Sequence, residues 1–379
     1  MTQGFDRREV LIMKKKIRVL VVDDSAFMRR CLKDILENEE DMEVIDTARD
    51  GNEAVKKAVE LRPDVITLDI NMPVMDGLTA LQYIMSLAPC PVVIISSLST
   101  EGALTTFEAL ELGAVDFVAK PGGTVSLGIK QLADEIVSKV RIAALSNKEL
   151  LSSSRNFKKL LKRRNQEVTR KVYENKISKK EIVVVIGVST GGPKTLMEIL
   201  PYLPSDFPAA VLVVQHMPPG FTQSFAQRLD QSCNLKVKEA EDKAFIEPGT
   251  VIIAKGGWHL VVERDSRSSK LITRLTQKPE ETLYKPSINV TMKSVLENVD
   301  GRNIIGILLT GMGDDGADMM VEIRKRGGLT IAESQETAIV YGMPRAAVER
   351  GGAEIVAPAY KISDILLKKV NEYARTSEY

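Results

Sequence analysis

The sequence predicts an α/β protein made of two doubly wound, mostly parallel-sheet domains joined by a basic linker. Three observations carry that expectation. Short β-branched runs alternate with helix-spaced amphipathic runs in two blocks, residues 17–140 and 182–373, as in chains of parallel βα units. The alternation stops over residues 141–181, where basic residues crowd together. In both blocks, polar residues fall at the carboxyl ends of strands, where open parallel sheets build their sites. A chain of 379 residues is also too long for one ordinary core, so two or three domains are expected.

The composition is that of a soluble globular protein, 44% hydrophobic and 27% charged, with a net charge of +1. So neutral a balance gives no overall reason to expect nucleic acid as a partner. Cys31, Cys90 and Cys233 are scattered, odd in number and without metal-ligand spacing, as expected of reduced thiols in a cytoplasmic protein. No apolar run approaches the roughly 18 residues that span a bilayer, so no membrane insertion is expected. Lys14-Lys15-Lys16 before Ile17–Val22 imitates the start of a signal peptide, but Asp23-Asp24 ends the apolar run too soon. Residues 1–16 read as an N-terminal tail.

The first block opens with a strand at Ile17–Val22 and a helix at Ser25–Glu37, which carries Phe27, Met28, Leu32, Ile35 and Leu36 at helical spacing. Strands follow at Val44–Ala48, Val65–Leu68, Val92–Ile95 and Asp116–Val118. Helices are expected at Gly51–Leu61, Leu78–Leu87, Ala103–Leu112 and Ser126–Leu145. Asp23 and Asp24 close the first strand, Asp69 the third, Ser96 the fourth and Lys120-Pro121 the fifth. Three carboxylates in one crevice repel one another unless a cation sits among them, and oxygen-only ligands suit Mg²⁺. A carboxylate beside Mg²⁺ and a lysine can act as a nucleophile toward a phosphoryl group. Taken singly, each of these residues reads as a cap or turn residue; four strand ends together argue for a site.

Val21-Val22-Asp23-Asp24-Ser25, Asp69-Ile70-Asn71-Met72-Pro73-Val74-Met75-Asp76-Gly77 and Lys120-Pro121 resemble the motifs of a two-component receiver domain, over residues 17–140. The resemblance implies a flavodoxin-like fold in which Asp69 accepts phosphate from a histidine kinase. Mg²⁺ would be bound by Asp24, Asp69 and the Asn71 carbonyl, with Asp23 in support. Ser96 and Lys120 would contact the phosphoryl oxygens, and Phe117 would be the aromatic switch residue.

In the linker, Lys158, Lys159, Lys162, Arg163 and Arg164 begin a basic run that continues to Lys180. A basic patch can bind nucleic acid. No aromatic interleaving or helix-turn-helix pattern accompanies this one, so a solvated linker is expected.

The second block opens with the apolar run from Ile182, followed by Gly187-Val188-Ser189-Thr190-Gly191-Gly192-Pro193. A buried strand, a glycine turn and a helix begun by Pro193 put Ser189 at the crest of a strand–turn–helix, within a Gly-x-Ser-x-Gly pattern. A serine that only caps the helix is the competing reading. Ala210–Val214 is a strand leading to Gln215-His216-Met217-Pro218, and Phe221–Leu229 a helix. Val251–Ala254 and Leu260–Val262 flank Gly256-Gly257 and read as a hairpin inserted in the sheet pattern. Ile304–Leu309 is a buried strand running into Thr310-Gly311-Met312-Gly313-Asp314-Asp315-Gly316 and then a helix; Leu329–Ala332 and Glu354–Val356 offer further strands.

A serine attacks a carbonyl at neutral pH only beside a base, usually imidazole, and the chain holds two histidines. His216 stands at a strand end, as Ser189 does. His259 lies in the expected hairpin beside Trp258 and reads as a packing or pocket-lining residue. The imidazole in turn needs a carboxylate to hold its tautomer. Asp314 or Asp315 can supply it, the other being free to cap the next helix, and spacing does not choose between them. Their glycine-rich turn also offers backbone N–H groups for an oxyanion hole.

The order Ser189…His216…Asp315 is not the serine–acid–histidine order of α/β-hydrolases. Instead, Gly187–Pro193, Gln215–Pro218 and Leu309–Gly316 resemble the catalytic domain of the chemotaxis protein-glutamate methylesterases, over about residues 182–370. The resemblance implies a Rossmann-like domain in which Ser189 is the nucleophile, His216 the base and Asp315, directly before the last glycine, the acid. The Met312 N–H would serve the oxyanion, Thr190 would help order His216, and Asp314 falls at a variable position. The implied enzyme is a phosphorylation-activated serine esterase that needs no cofactor for the ester chemistry. It would take its phosphate from the chemotaxis histidine kinase and remove methyl groups from γ-glutamyl esters of methyl-accepting chemoreceptors. It would also deamidate receptor glutamines. The unphosphorylated receiver would pack over the active site. Two rival outputs are weaker: a DNA-binding regulator lacks a recognition-helix motif, and a nucleotide-binding domain lacks the full G-x-G-x-x-G spacing.

Overall fold

The computed structural model describes residues 16–97, 100–120, 132–146 and 181–375. The basic run of the linker and all but the last residue of the expected tail lie outside the described residues.

The first unit is a five-stranded parallel sheet of β1 (Ile17–Val22), β2 (Met42–Ala48), β3 (Val65–Asp69), β4 (Val92–Ser97) and β5 (Asp116–Lys120), in the order β2-β1-β3-β4-β5. The edge strand β2 is only partly buried, but the others are largely buried on both faces by α1 (Ala26–Glu37), α2 (Gly51–Leu61), α3 (Gly77–Leu87), α4 (Thr100–Leu112) and α5 (Ala133–Leu145). That is why they read as continuous apolar runs rather than alternating ones. Capping begins the first three helices: Ser25, Asp50 and Asp76 each accept a backbone N–H of the first turn. The strand order reverses between β1 and β3, so Asp23 and Asp69 emerge beside one another at the switch point. The closing helix runs on to Leu145, past the boundary expected at residue 140. Its expected start at Ser126 lies outside the described residues.

The second unit is a seven-stranded sheet whose paired strands are all parallel, in the order β14-β13-β12-β6-β7-β9-β8. In chain order these are β6 (Val183–Val188), β7 (Ala210–Gln215), β8 (Lys236–Glu239), β9 (Thr250–Ile253), β12 (Ile304–Leu308), β13 (Leu329–Glu333) and β14 (Ile355–Ala357). Helices α6 (Gly192–Ile199), α7 (Phe221–Ser232), α8 (Ile288–Asn298), α9 (Ala317–Lys325), α10 (Met343–Glu349) and α11 (Ala359–Arg375) cover it.

The expected hairpin is not formed. Val251–Ile253 belongs to β9, which enters the main sheet between β7 and β8. Leu260–Val262 belongs to β10 (His259–Arg264), which pairs antiparallel with β11 (Leu271–Thr276) in a sheet of its own. The glycines serve another purpose: a Cβ at Gly256 would lie 2.6 Å from the Pro218 carbonyl oxygen, so glycine lets this loop press against the one after β7.

The two units share an apolar core that runs from Leu20, Ile66 and Phe107 to Val184 and Phe221. Helices α4 and α7 meet across it. Phe117 stacks on Phe221 with centroids 4.6 Å apart, and Phe107 on Phe225 at 5.3 Å. At the rim, Arg228 grips Glu111 through two hydrogen bonds of 3.0 and 2.9 Å.

Candidate active site

Strand β6 lies at the middle of the seven-stranded sheet, between β12 and β7. The register pairs Val188 with Gln215 and Gly187 with Leu308, so Ser189, His216 and Thr310 leave three adjacent strands at one level. Adjacent strands lie about 4.8 Å apart, which brings the three within side-chain reach. Backbone bonds hold the level: the His216 N–H donates to Val188 O at 3.1 Å and the Ser189 N–H to Thr310 O at 3.0 Å. Gly311 passes so close that a Cβ there would sit 2.7 Å from the Ser189 Cβ. The turn after Ser189 closes through Gly191 at φ +79°, and Pro193 opens α6. Ser189 is half-buried, and its hydroxyl has no hydrogen-bond partner among the described residues.

His216 Nε2 lies 2.9 Å from Asp315 Oδ2, with both side chains nearly buried. Asp315 also accepts the Ser287 hydroxyl at 3.1 Å and the backbone N–H groups of Ile288 at 2.7 Å and Asn289 at 3.0 Å. Those groups form the N-terminus of α8, which favours an anion. Burial alone would raise the Asp315 carboxyl, but the bond to His216, its charge and the two amides outweigh burial and hold it below the ordinary carboxylate value. An ionised Asp315 requires the proton on Nε2 of neutral His216. Nδ1 is then the bare nitrogen, and it is buried without a hydrogen-bond partner.

Asp314 is separated from this site by its exposure and by an ion pair with Arg350 on the surface. Gly316, at φ +95°, is the residue that caps α9, so neither aspartate does. The Met312 backbone N–H, on the same turn, has no acceptor among the described residues.

Several residues of the site carried no signal that the sequence reading used. Thr310 joins the two turns: its N–H donates to Glu333 Oε2 at 2.8 Å, its hydroxyl to Thr190 O at 2.9 Å, and Val340 N–H donates to that hydroxyl at 2.9 Å. Glu333 is completely buried, and burial pushes its carboxyl up to about 7. Tyr284 stacks on the His216 ring, with centroids 3.9 Å apart and planes 13° apart. Burial, with the carboxylates of Asp315 and Asp314, raises its phenol above the ordinary value, so it stays protonated. The packing role read for His259 acquires content here. Its Nδ1 accepts the Ser287 N–H at 3.2 Å, so Nε2 carries the proton and faces Pro279 O at 3.1 Å. Burial, aided by Lys285, lowers its pKa and keeps it neutral.

The expectation for Thr190 needs correction. Its hydroxyl donates to Asp116 Oδ2 at 2.6 Å, across the junction with the first unit, rather than to His216. Asp116 is held in turn by Lys139, 3.3 Å from its other oxygen.

At the other strand ends, Asp23, Asp24 and Asp69 can each offer an oxygen within 4.8 Å of the others. Such an all-carboxylate set fits Mg²⁺. Lys120 Nζ bridges Asp23 and Asp69 at 2.9 Å each. Burial, with Asp23 adding to it, raises the Asp69 carboxyl against the pull of Lys120. Burial would lower the Lys120 ammonium, but Asp69 and Asp23 hold it above its ordinary value. Gly77 is demanded here, since a Cβ would stand 2.1 Å from the Asp69 carbonyl oxygen. Asn71 follows on the exposed loop after β3. Ser96 is not turned to this cluster: its buried hydroxyl donates to Gly102 O at 3.1 Å in α4. Phe117 is buried at the junction, against Phe221.

Among the described residues, no helix is long and apolar enough to cross a membrane. Residues 184–366 match the CheB methylesterase family and residues 19–129 the response regulator receiver domain. A protein-glutamate methylesterase/protein-glutamine glutaminase 2 of Carboxydothermus hydrogenoformans is 55% identical over 94% of this chain and 99% of its own length. The protein-glutamate methylesterase/protein-glutamine glutaminase 3 of Syntrophomonas wolfei is 48% identical over 94% of this chain and 99% of its own length. The protein-glutamate methylesterase/protein-glutamine glutaminase of Archaeoglobus fulgidus is 48% identical over 94% of this chain and 100% of its own.

Proposed function

The chain belongs to the CheB methylesterase family, with a response regulator receiver domain ahead of the esterase domain, and from that premise we propose how its residues work. It is a protein-glutamate methylesterase and protein-glutamine glutaminase of chemotaxis adaptation. We assign residues 17–145 to the receiver, 146–181 to the linker and 182–373 to the catalytic domain, in a cytoplasmic enzyme whose substrates are methyl-accepting chemoreceptors.

Ser189 is the nucleophile, His216 the base and Asp315 its orienting acid. The carrying observation is the buried His216–Asp315 pair, which leaves Nδ1 bare on the strand next to Ser189. Nδ1 takes the hydroxyl proton as Ser189 Oγ attacks the γ-carbonyl carbon of a methylated glutamate. The Met312 N–H steadies the oxyanion, a contact of a kind worth roughly 10²–10³ in rate. The proton then passes from Nδ1 to the departing methoxy oxygen, and methanol leaves the acyl-enzyme. Water, deprotonated by the same nitrogen, attacks that ester and frees the glutamate carboxylate. With glutamine as substrate the same proton goes to nitrogen, and ammonia leaves. Ser189→Ala should abolish methanol release from methylated receptor while the circular dichroism spectrum is unchanged; turnover near that of the parent protein would refute the mechanism.

The receiver governs this site. Asp69 accepts the phosphoryl group from a chemotaxis histidine kinase, and Asp23, Asp24, Asp69 and the Asn71 carbonyl would hold Mg²⁺. The ion neutralises carboxylate repulsion and phosphoryl charge when bound. Lys120 is already within reach of Asp69, whereas Ser96 must release Gly102 to contact a phosphoryl oxygen. Phe117 stacks on Phe221, so a change in its packing bears directly on the junction. A small phosphodonor with Mg²⁺ should raise the esterase rate of the full chain but not that of Asp69→Ala. An equal response in both would remove the receiver from the mechanism.

A further inference from the structure

Tyr284 lies against the His216 ring without a part in the steps above. We propose that Tyr284 is a positioning residue for catalysis, its ring fixing the plane of the His216 imidazole and favouring the charged form that the ring takes during the reaction. The proposal rests on the Ser189–His216–Asp315 reading.

A single in-plane hydrogen bond from Nε2 to Asp315 fixes one direction of the imidazole. It leaves the ring free to rock about that direction and carry Nδ1 away from the serine. A face contact removes that freedom. Tyr284 supplies one, 3.9 Å from the imidazole centroid and nearly parallel to it. The phenol side chain is held in its turn by the chain that bears it. The Thr282 hydroxyl donates to Tyr284 O at 3.0 Å, and the Gly257 N–H donates to Lys285 O at 3.0 Å. His259 ties this segment to the sheet through Ser287 and Pro279. One stretch, residues 279–289, therefore delivers both the amides that hold Asp315 and the ring that holds His216.

The aromatic face also bears on charge. His216 becomes an imidazolium when it takes the serine proton and stays so until the leaving group departs. A cation against an electron-rich ring face is favoured over a neutral ring in the same place. The Tyr284 hydroxyl has no hydrogen-bond partner among the described residues, so nothing on its own side competes for that ring. Expelling ammonia depends more on a proton from the imidazolium than expelling methanol does, so deamidation should suffer more than demethylation when the ring is lost.

The test is steady-state turnover of methylated receptor by the full chain, with phosphodonor and Mg²⁺, in Tyr284→Phe, Tyr284→Leu and Ser189→Ala. Leu keeps an apolar group over the imidazole and removes the π face. Tyr284→Leu should lose tenfold or more in kcat with KM within twofold of the parent, and Tyr284→Phe should stay within twofold in both. If Tyr284→Leu does not fold, Tyr284→Met carries the same expectation. An equal loss in Phe and Leu variants would make the hydroxyl the active group and overturn the proposal. So would an unchanged kcat in Tyr284→Leu, or a rise in KM alone. Activity surviving in Ser189→Ala would instead defeat the triad reading, whatever the tyrosine variants do.

Discussion

At the residue scale, the problem is how to keep a carboxylate ionised where water is scarce. Asp315 does it with the amides of α8 and the His216 ring. Neutralising it in Asp315→Asn leaves the shape intact but removes the reason for the proton to sit on Nε2. The rate of methanol release should fall by about 10⁴, the loss found when a triad acid is made an amide. Glu333 shows the opposite outcome, since burial, with Glu198 adding to it, raises its carboxyl to about 7. Such a group keeps a proton in the folded state that the unfolded chain has released. Its stabilising contribution is therefore full below the ordinary value of 4.5 and is lost as pH rises toward about 7. Glu333→Gln should flatten the dependence of Tm on pH across that window; an unaltered slope would mean that Glu333 is ionised throughout.

At the element scale, glycines decide how closely the turns can meet. Gly311 lets the turn after β12 lie against Ser189, and Gly191 lets the crest itself reverse. In Gly311→Ala the new Cβ meets the Ser189 Cβ at 2.7 Å and Met343 Sδ at 2.6 Å, so the crest must shift. Overpacking of this kind costs typically 1–3 kcal/mol, and a displaced nucleophile about 10²-fold in rate. Thermal melts and kcat for that variant should both fall; a loss of stability with kcat retained would show that the crest absorbs the clash. Most strands of both sheets were legible as elements, whereas the edge strand β8 and helices α8, α10 and α11 were not read. Nor was the role of Gly256-Gly257. Two glycines between apolar runs look alike whether they reverse the chain or let it press against Pro218.

At the scale of the whole molecule, the receiver is seated on the catalytic domain by an aromatic core with polar contacts at its edge. It reaches the residue beside the nucleophile through the Asp116–Thr190 bond, while Ser189 itself stays half-buried and Met312 is 45% exposed. Restraint of the crest is thus part of the contact. Arg228→Glu would set like charges at Glu111 and weaken the seat by about 1 kcal/mol, roughly fivefold in population. The esterase rate without phosphodonor should rise by about that factor, with little change in Tm. A basal rate equal to the parent's would mean that the rim pair does not hold the domains together.

The sequence by itself determined the class of each sheet, the order of the two domains, the motif carrying Ser189 and the carboxylates that gather at the first switch point. Local periodicity and strand-end placement are enough for these, because a parallel strand announces both its burial and the end at which it can present a side chain. The resemblance already pointed to Asp315; only the tertiary structure set it against His216, gave Thr190 to Asp116, brought Tyr284 onto the imidazole and set Glu333 beneath Thr310. Each of those contacts joins residues more than twenty positions apart. Which ring covers a base, or which carboxylate a hydroxyl meets, depends on how distant elements pack, and no local pattern encodes that packing.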